Sequence, residues 1–333
     1  MNKYIFNYDN NPNLPKYNEE NIKHNQYIRI DYVQNLFNIY YIDNIPDNNY
    51  KINEINNTII LFLISTSNSA HSISEIIDFL NYYKNKENYI GISIYIKTKM
   101  PFLYELITIF IPENKIILLY DNIIYKIDIL ILYRNHHFNY LKNWDNISFL
   151  KNNNILYFNN LENIKENFYS NSLFLFDKVE EIYSNNKDKY ILYDNICLIK
   201  TNIDKFVATP NRCLDNLNDE IINIFNNNNI KVLSINNFKN IYEYICVFYH
   251  AKNIIVSYGG VACTNRFFCN KNSNIILIAN LYYKNEYEYN NKNQLYWHIR
   301  HSHIFPAKKQ KVLLDFENNI NINNINNIIN LLE

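Results

Sequence analysis

Two of the chain's three glycines are adjacent. They lie in Ile254-Ile255-Val256-Ser257-Tyr258-Gly259-Gly260-Val261-Ala262-Cys263-Thr264-Asn265, between an apolar run that reads as a buried strand and a segment that reads as a helix. In a chain so poor in glycine, the pair marks a backbone that takes positive φ or that something approaches closely. A turn at the carboxyl end of a strand that opens a helix presents N–H groups, and the helix dipole there favours an anion such as a nucleotide phosphate. The same residues also fit a tight strand-to-helix turn without a ligand, and spacing alone does not choose. The segment is neither a Walker sequence, since no Lys follows, nor a G-x-G-x-x-G fingerprint.

Further candidates sit at other strand ends. Lys200-Thr201 closes one strand and is followed by Thr209-Pro210-Asn211-Arg212. An Arg fork matches phosphate oxygens bidentately, and a Lys adds a point charge. Taken singly, each is also an ordinary solvated cation. His71 opens a helix with Glu75 one turn on, on the same face. An imidazole there can serve as a general base or simply as an exposed or capping side chain. His298, Arg300, His301 and His303 form a dense cluster whose spacing fits no usual zinc pattern, so it reads as a polar loop. No Asp-x-Asp occurs, so the common carboxylate arrangement for a divalent metal on a nucleotide is missing and no metal is expected.

The elements that must hold these residues follow from periodicity. After a polar stretch up to about Asn57, Ile59–Ile64 reads as a strand buried on both faces. Ile73, Ile76, Ile77 and Leu80 recur at helical spacing. Tyr89–Ile96 reads as a strand, Pro101–Ile111 as a helix with Pro in its first turn, and Lys115–Tyr120 and Ile123–Tyr133 as strands. Arg134–Asn160 reads as a connector and Leu161–Ser184 as a helix. The rhythm then restarts: strands at 190–199, 230–235, 254–257 and 275–278, helices at 214–225, 241–251 and from about 261. Ile320–Leu332 reads as a helix that packs back on the body. Strands alternating with helices predict parallel sheets with covering helices, and the carboxyl ends of such strands share one crevice. Lys200, Arg212, Gly259 and Gly260 then fall on the same rim.

Composition narrows the class. The chain has 333 residues, 48% hydrophobic and 19% charged, with 32 basic against 32 acidic residues. That is material for two domains with large cores, with no global pull toward nucleic acid or an anionic membrane. No apolar run approaches the ~18–20 residues of a membrane helix. Met1-Asn2-Lys3-Tyr4 does not begin a signal peptide. The five cysteines (197, 213, 246, 263 and 269) show no Cys-x-x-Cys spacing and read as reduced thiols. The expectation is a soluble protein of a reducing intracellular compartment, the cytoplasm. About one residue in five is Asn, which reads as the codon bias of an AT-rich genome.

From Cys197 to about Ile278 the chain resembles the family 61 glycosyltransferases. The resemblance rests on Thr209-Pro210-Asn211-Arg212, on Ile230–Phe238, on Ala251-Lys252-Asn253-Ile254-Ile255-Val256, and on Tyr258-Gly259-Gly260-Val261-Ala262-Cys263-Thr264-Asn265-Arg266-Phe267-Phe268. The last is similar to the family's His-Gly-Ala-x-x-Thr-Asn-x-x-Phe, with one more residue between Gly260 and Thr264 than that pattern has. His71 with Glu75 and Asn114–Tyr133 extend the likeness to about two thirds of the chain. Tyr258 stands where the family has His, and Gly260 where it has Ala.

This resemblance implies an α/β architecture of two Rossmann-like domains facing a cleft, the GT-B type. The acceptor-side domain would span 1–160, the nucleotide-sugar domain 161–318, and a C-terminal helix 319–333. It implies an inverting, metal-independent glycosyltransferase moving a sugar from a UDP-type donor to a hydroxyl of a glycan or glycoprotein acceptor, with no cofactor beyond that co-substrate. His71, oriented by Glu75, would be the catalytic base. Lys200, Arg212, Ser257, Tyr258, Gly259, Gly260, Thr264 and Asn265 would hold the donor. Tyr258 keeps open a catalytically inactive relative that binds a glycan or a partner.

Overall fold

A computed structural model describes residues 19–33, 36–42, 51–62, 76–77, 79–134, 149–152, 155–158, 161–199, 217–234, 237–257, 265, 267–279, 307, 309–314 and 322–332. The chain is mixed α/β and divides into two compact units, Met1–His137 and Phe138–Glu333. Among the described residues no helix is long and apolar enough to cross a membrane.

The first unit carries strands β1 (Glu19–Val33), β2 (Leu36–Tyr41), β3 (Ile52–Leu61), β4 (Tyr89–Ser93), β5 (Ile116–Leu119) and β6 (Ile124–Arg134). They form one sheet in the order β2-β1-β6-β3-β4-β5. β6, β3, β4 and β5 are mutually parallel, while β1 runs antiparallel to both β6 and β2. Ile59, Ile60 and Leu61 are all buried, as expected of a strand covered on both faces. The covering helices include residues 76–77 and 79–83, and α2 (Pro101–Phe110), which starts on its proline. Tyr89–Ile96 is not one strand: β4 ends at Ser93, whose Oγ accepts the Tyr95 N–H at 3.2 Å and so caps α1 (Ile94–Lys99). The stretch before Asn57, read as polar from sequence, supplies β1, β2 and half of β3.

The second unit carries β7 (Phe149–Asn152), β8 (Ile155–Phe158), α3 (Leu161–Asn186), β9 (Asn195–Ile199), α4 (Asp219–Asn227), β10 (Lys231–Ser234), α5 (Ile241–His250), β11 (Asn253–Ser257), β12 (Asn274–Ala279), β13 (Lys309–Leu314) and α6 (Ile322–Ile329). Its sheet runs β10-β9-β11-β12-β13-β8-β7. The first five strands are parallel, and the hairpin β7–β8 closes the edge antiparallel to β13. That hairpin lies on the first-domain side of the boundary read at 160, yet its ladder to β13 builds it into the second sheet.

Crossovers fix the layers. The chain steps from β9 out to β10 through α4, then back past β9 to β11 through α5. Right-handed crossovers in opposite directions place the two helices on opposite faces. Accordingly, Ile221 and Phe225 of α4 and Ile325 and Ile328 of α6 share one cluster with Cys197, Ile255, Ile276 and Leu313. The alternate residues Ile196, Leu198, Ile254, Val256, Ile275 and Leu277 are buried on the other face. α5 is apolar nearly all round because α3 packs along it, with the Tyr183 and Tyr249 rings 4.9 Å apart.

Asparagine takes three structural roles. Asn218 and Asn240 cap α4 and α5, each side chain accepting an N–H at 2.9 Å, from Ile221 and Glu243 respectively. Asn25, Asn122 and Asn229 take positive φ, a conformation glycine would otherwise supply. Asn195, Asn253 and Asn274 lie side by side in β9, β11 and β12 as a ladder of amides. Asn274 Nδ2 donates to Asn253 Oδ1 at 2.8 Å, and Asn253 Nδ2 to Asn195 Oδ1 at 2.7 Å. The ladder's ends donate to the carbonyls of Leu331 and Asn229. Both terminal partners are acceptors, so the direction of the ladder is fixed.

Candidate functional site

The strand order of the second unit reverses between β9 and β11. Open parallel sheets bind ligands outside the carboxyl ends of the strands at such a reversal. The ladders bring four strand tips level: Ser234 pairs with Ile199, Ser257 with Ile278, and the β9–β11 register carries Ile199 to Ser257. The residues that follow these tips in sequence are Lys200 after β9 and Tyr258-Gly259-Gly260 after β11. Lys200, Arg212, Tyr258, Gly259, Gly260 and Thr264 lie outside the described residues, as do His71 and Glu75. So do His298, Arg300, His301 and His303. Among the described residues no group of three or more His, Cys, Asp or Glu could hold a metal ion.

Two of the expected donor residues are described, and both are buried. Ser257 is 3% exposed as the last residue of β11. Asn265 is 0% exposed. The Tyr244 hydroxyl, from α5, donates to Asn265 Oδ1, while Asn265 Nδ2 finds no acceptor. Tyr244 is held in turn by Phe238 and Phe248, both with ring centroids at 4.7 Å, and by Phe268 edge-on at 5.8 Å. Burial holds its phenol far above the usual range, the bond to Asn265 offsetting part of that. Asn265 is therefore buried against α5.

Sequence reasoning missed Tyr244 and Ser234. Tyr244 is hidden among thirty-one tyrosines, and only its place on the inner face of α5 distinguishes it. Ser234 closes β10, its backbone N–H and its hydroxyl both donating to Asn237 Oδ1 at 2.6 and 3.1 Å. A Ser followed three residues later by Asn at a strand end is a turn signal that could have been read.

A separate polar cluster marks the amino end of the same sheet. Asp194 meets Lys252 Nζ at 2.9 Å and His250 Nε2 at 3.4 Å, and His250 Nδ1 lies 2.8 Å from the Tyr183 hydroxyl. The Lys252 bond draws the Asp194 carboxyl below its ordinary range. These groups sit at the end of the strands away from the reversal and take no part in it. The chain matches no known protein-family model, and no curated protein sequence matches it.

Proposed function

We propose that this protein is an inverting, metal-independent glycosyltransferase that takes its sugar from a UDP-type nucleotide donor. One observation carries the reading. The strand order reverses at β9 and β11, the two strands that end immediately before Lys200 and before Tyr258-Gly259-Gly260. Two of the chain's three glycines and a cation thus follow, in sequence, the strand ends at which an open α/β sheet takes an anion. The resemblance to the family 61 glycosyltransferases supports it from the sequence side, as does the division of the chain into two α/β units, the second of which would serve the donor and the first the acceptor.

In this reading the diphosphate is held by backbone N–H groups after Ser257 and by Lys200 and Arg212. Those groups stabilise the charge that grows on the leaving nucleoside diphosphate. His71, oriented by Glu75, removes the proton from the acceptor hydroxyl as its oxygen attacks the anomeric carbon. Asn265 and Ser257, being buried, support the turn from beneath. Titration calorimetry with UDP and UDP-sugars in EDTA tests the proposal. Binding is expected, with Arg212→Ala weakening it about tenfold or more, as the loss of a charge-assisted pair requires. Absence of binding, or an unchanged Arg212→Ala, refutes it. A second reading, a catalytically inactive protein that binds a glycan or partner, is favoured by Tyr258 standing where the resembled family has His. Nucleotide binding without turnover, unaffected by His71→Ala, selects it.

A further inference from the structure

We infer that Tyr244 is a positioning residue, anchoring through Asn265 the far end of the segment that leaves β11. That segment is short, and both of its flanks are buried: Ser257 belongs to the β11 ladder, and Asn265 is 0% exposed seven residues beyond Tyr258. Asn265 has one described side-chain bond, from the Tyr244 hydroxyl, and its Nδ2 has no partner. A polar side chain sealed from water and held on one side only depends heavily on that single bond. Tyr244 itself has little freedom. It sits on the helix that runs into β11, and Phe238, Phe248 and Phe268 pack around its ring. The hydroxyl therefore ties Asn265 to α5.

The anchoring stands on the geometry alone, and its consequence for ligand binding rests on the donor-site reading. The test is hydrogen exchange by mass spectrometry on the full chain without ligand, comparing wild type with Tyr244→Phe. The variant keeps the ring and deletes only the hydroxyl. Exchange in peptides spanning 258–268 is expected to rise about tenfold, while β9, β11 and β12 keep their protection. Unchanged exchange at 258–268 overturns the inference, as does an equal rise across the whole unit, which marks a purely global role. Asn265→Leu and the double variant guard against a folding defect. If the Tyr244–Asn265 bond is the anchor, the double variant exchanges no faster than Asn265→Leu, whereas additive effects overturn it. UDP affinity, measured well below the unfolding temperature, is expected to fall about fivefold or more in Tyr244→Phe. Failure of the wild type to bind UDP refutes the donor-site reading alone, because exchange is measured without nucleotide.

Discussion

Replacing Asn253 with Leu removes the middle rung of the amide ladder, and its effect can be worked out from the contacts. Asn253 is 1% exposed and exchanges side-chain bonds of 2.7 and 2.8 Å with its two neighbours. Without it, Asn274 keeps its bond to the Leu331 carbonyl but loses its other acceptor, in a position only 3% exposed. One orphaned buried donor costs about 1–3 kcal/mol. Asn195 is half-buried, so water replaces part of its lost bond. The expected loss is about 2–3 kcal/mol, a large share of the ~5–15 kcal/mol that stabilises a typical domain. Asn253→Asp should be worse at neutral pH and recover toward about pH 4, because a protonated carboxyl can donate to Asn195 Oδ1 where a carboxylate repels it. Urea unfolding, followed by hydrogen exchange in β9, β11 and β12, isolates the second unit. A change below about 0.5 kcal/mol for Asn253→Leu, with an unaltered denaturant slope, would show the ladder to be incidental.

Gly91→Ala should destabilise the first unit by about 1–2 kcal/mol in urea unfolding, since overpacking outweighs the gain in chain entropy. The new Cβ would lie 3.0 Å from Ile59 Cγ2 and Leu119 Cδ1 and 3.3 Å from Leu61 Cδ1, all buried side chains. A neutral or stabilising result would mean the neighbours move freely. Cys197, Cys246 and Cys269 are buried, burial raises the Cys197 thiol, and that of Cys246 is pushed up to about 11. None of the three should label with iodoacetamide at pH 8 until urea unfolds the chain; mass mapping of rapid native labelling at any of them refutes their placement. Asp194 titrates below its ordinary 3.8 in the folded state, so its ion pair contributes above that pH and is lost as pH falls through the lower folded value. Because its side chain is 52% exposed, Asp194→Asn should cost under ~0.5 kcal/mol at pH 7, vanishing in high salt and in acid. A loss that persists in 1 M salt would contradict that assignment.

The parts of the fold legible in the sequence are those where burial alone sets the pattern. β9, β11 and β12 show as apolar runs because helices cover both faces, and α5 shows because its apolar residues are closely spaced. β1 was hidden for the opposite reason. Of its fifteen residues, Ile28 and Ile30 are buried while Ile22 is half exposed, and Asn25 breaks its regular backbone. Its ladder to β6 makes it a strand, a long-range pairing that no local pattern reports. The β7–β8 hairpin, joined through Asn153-Asn154, carries a turn signal that is lost where one residue in five is Asn. The same background disguised the ladder: three asparagines attributed to codon bias form a register-matched polar line across the sheet. For the site, the sequence places Lys200 directly after β9 and the glycine pair one residue beyond the end of β11. Tyr244 was not legible, because its partner lies twenty-one residues away, joined only by the tertiary fold.

The proposed function requires a diphosphate to rest on the backbone just past Ser257. A crystal structure of the protein soaked or grown with UDP decides the matter. The diphosphate is expected within hydrogen-bond distance of the Gly259 and Gly260 amides, with Lys200 and Arg212 on its oxygens. UDP bound at the amino ends of the strands, or the turn after Ser257 closed over with no room for an anion, would contradict it.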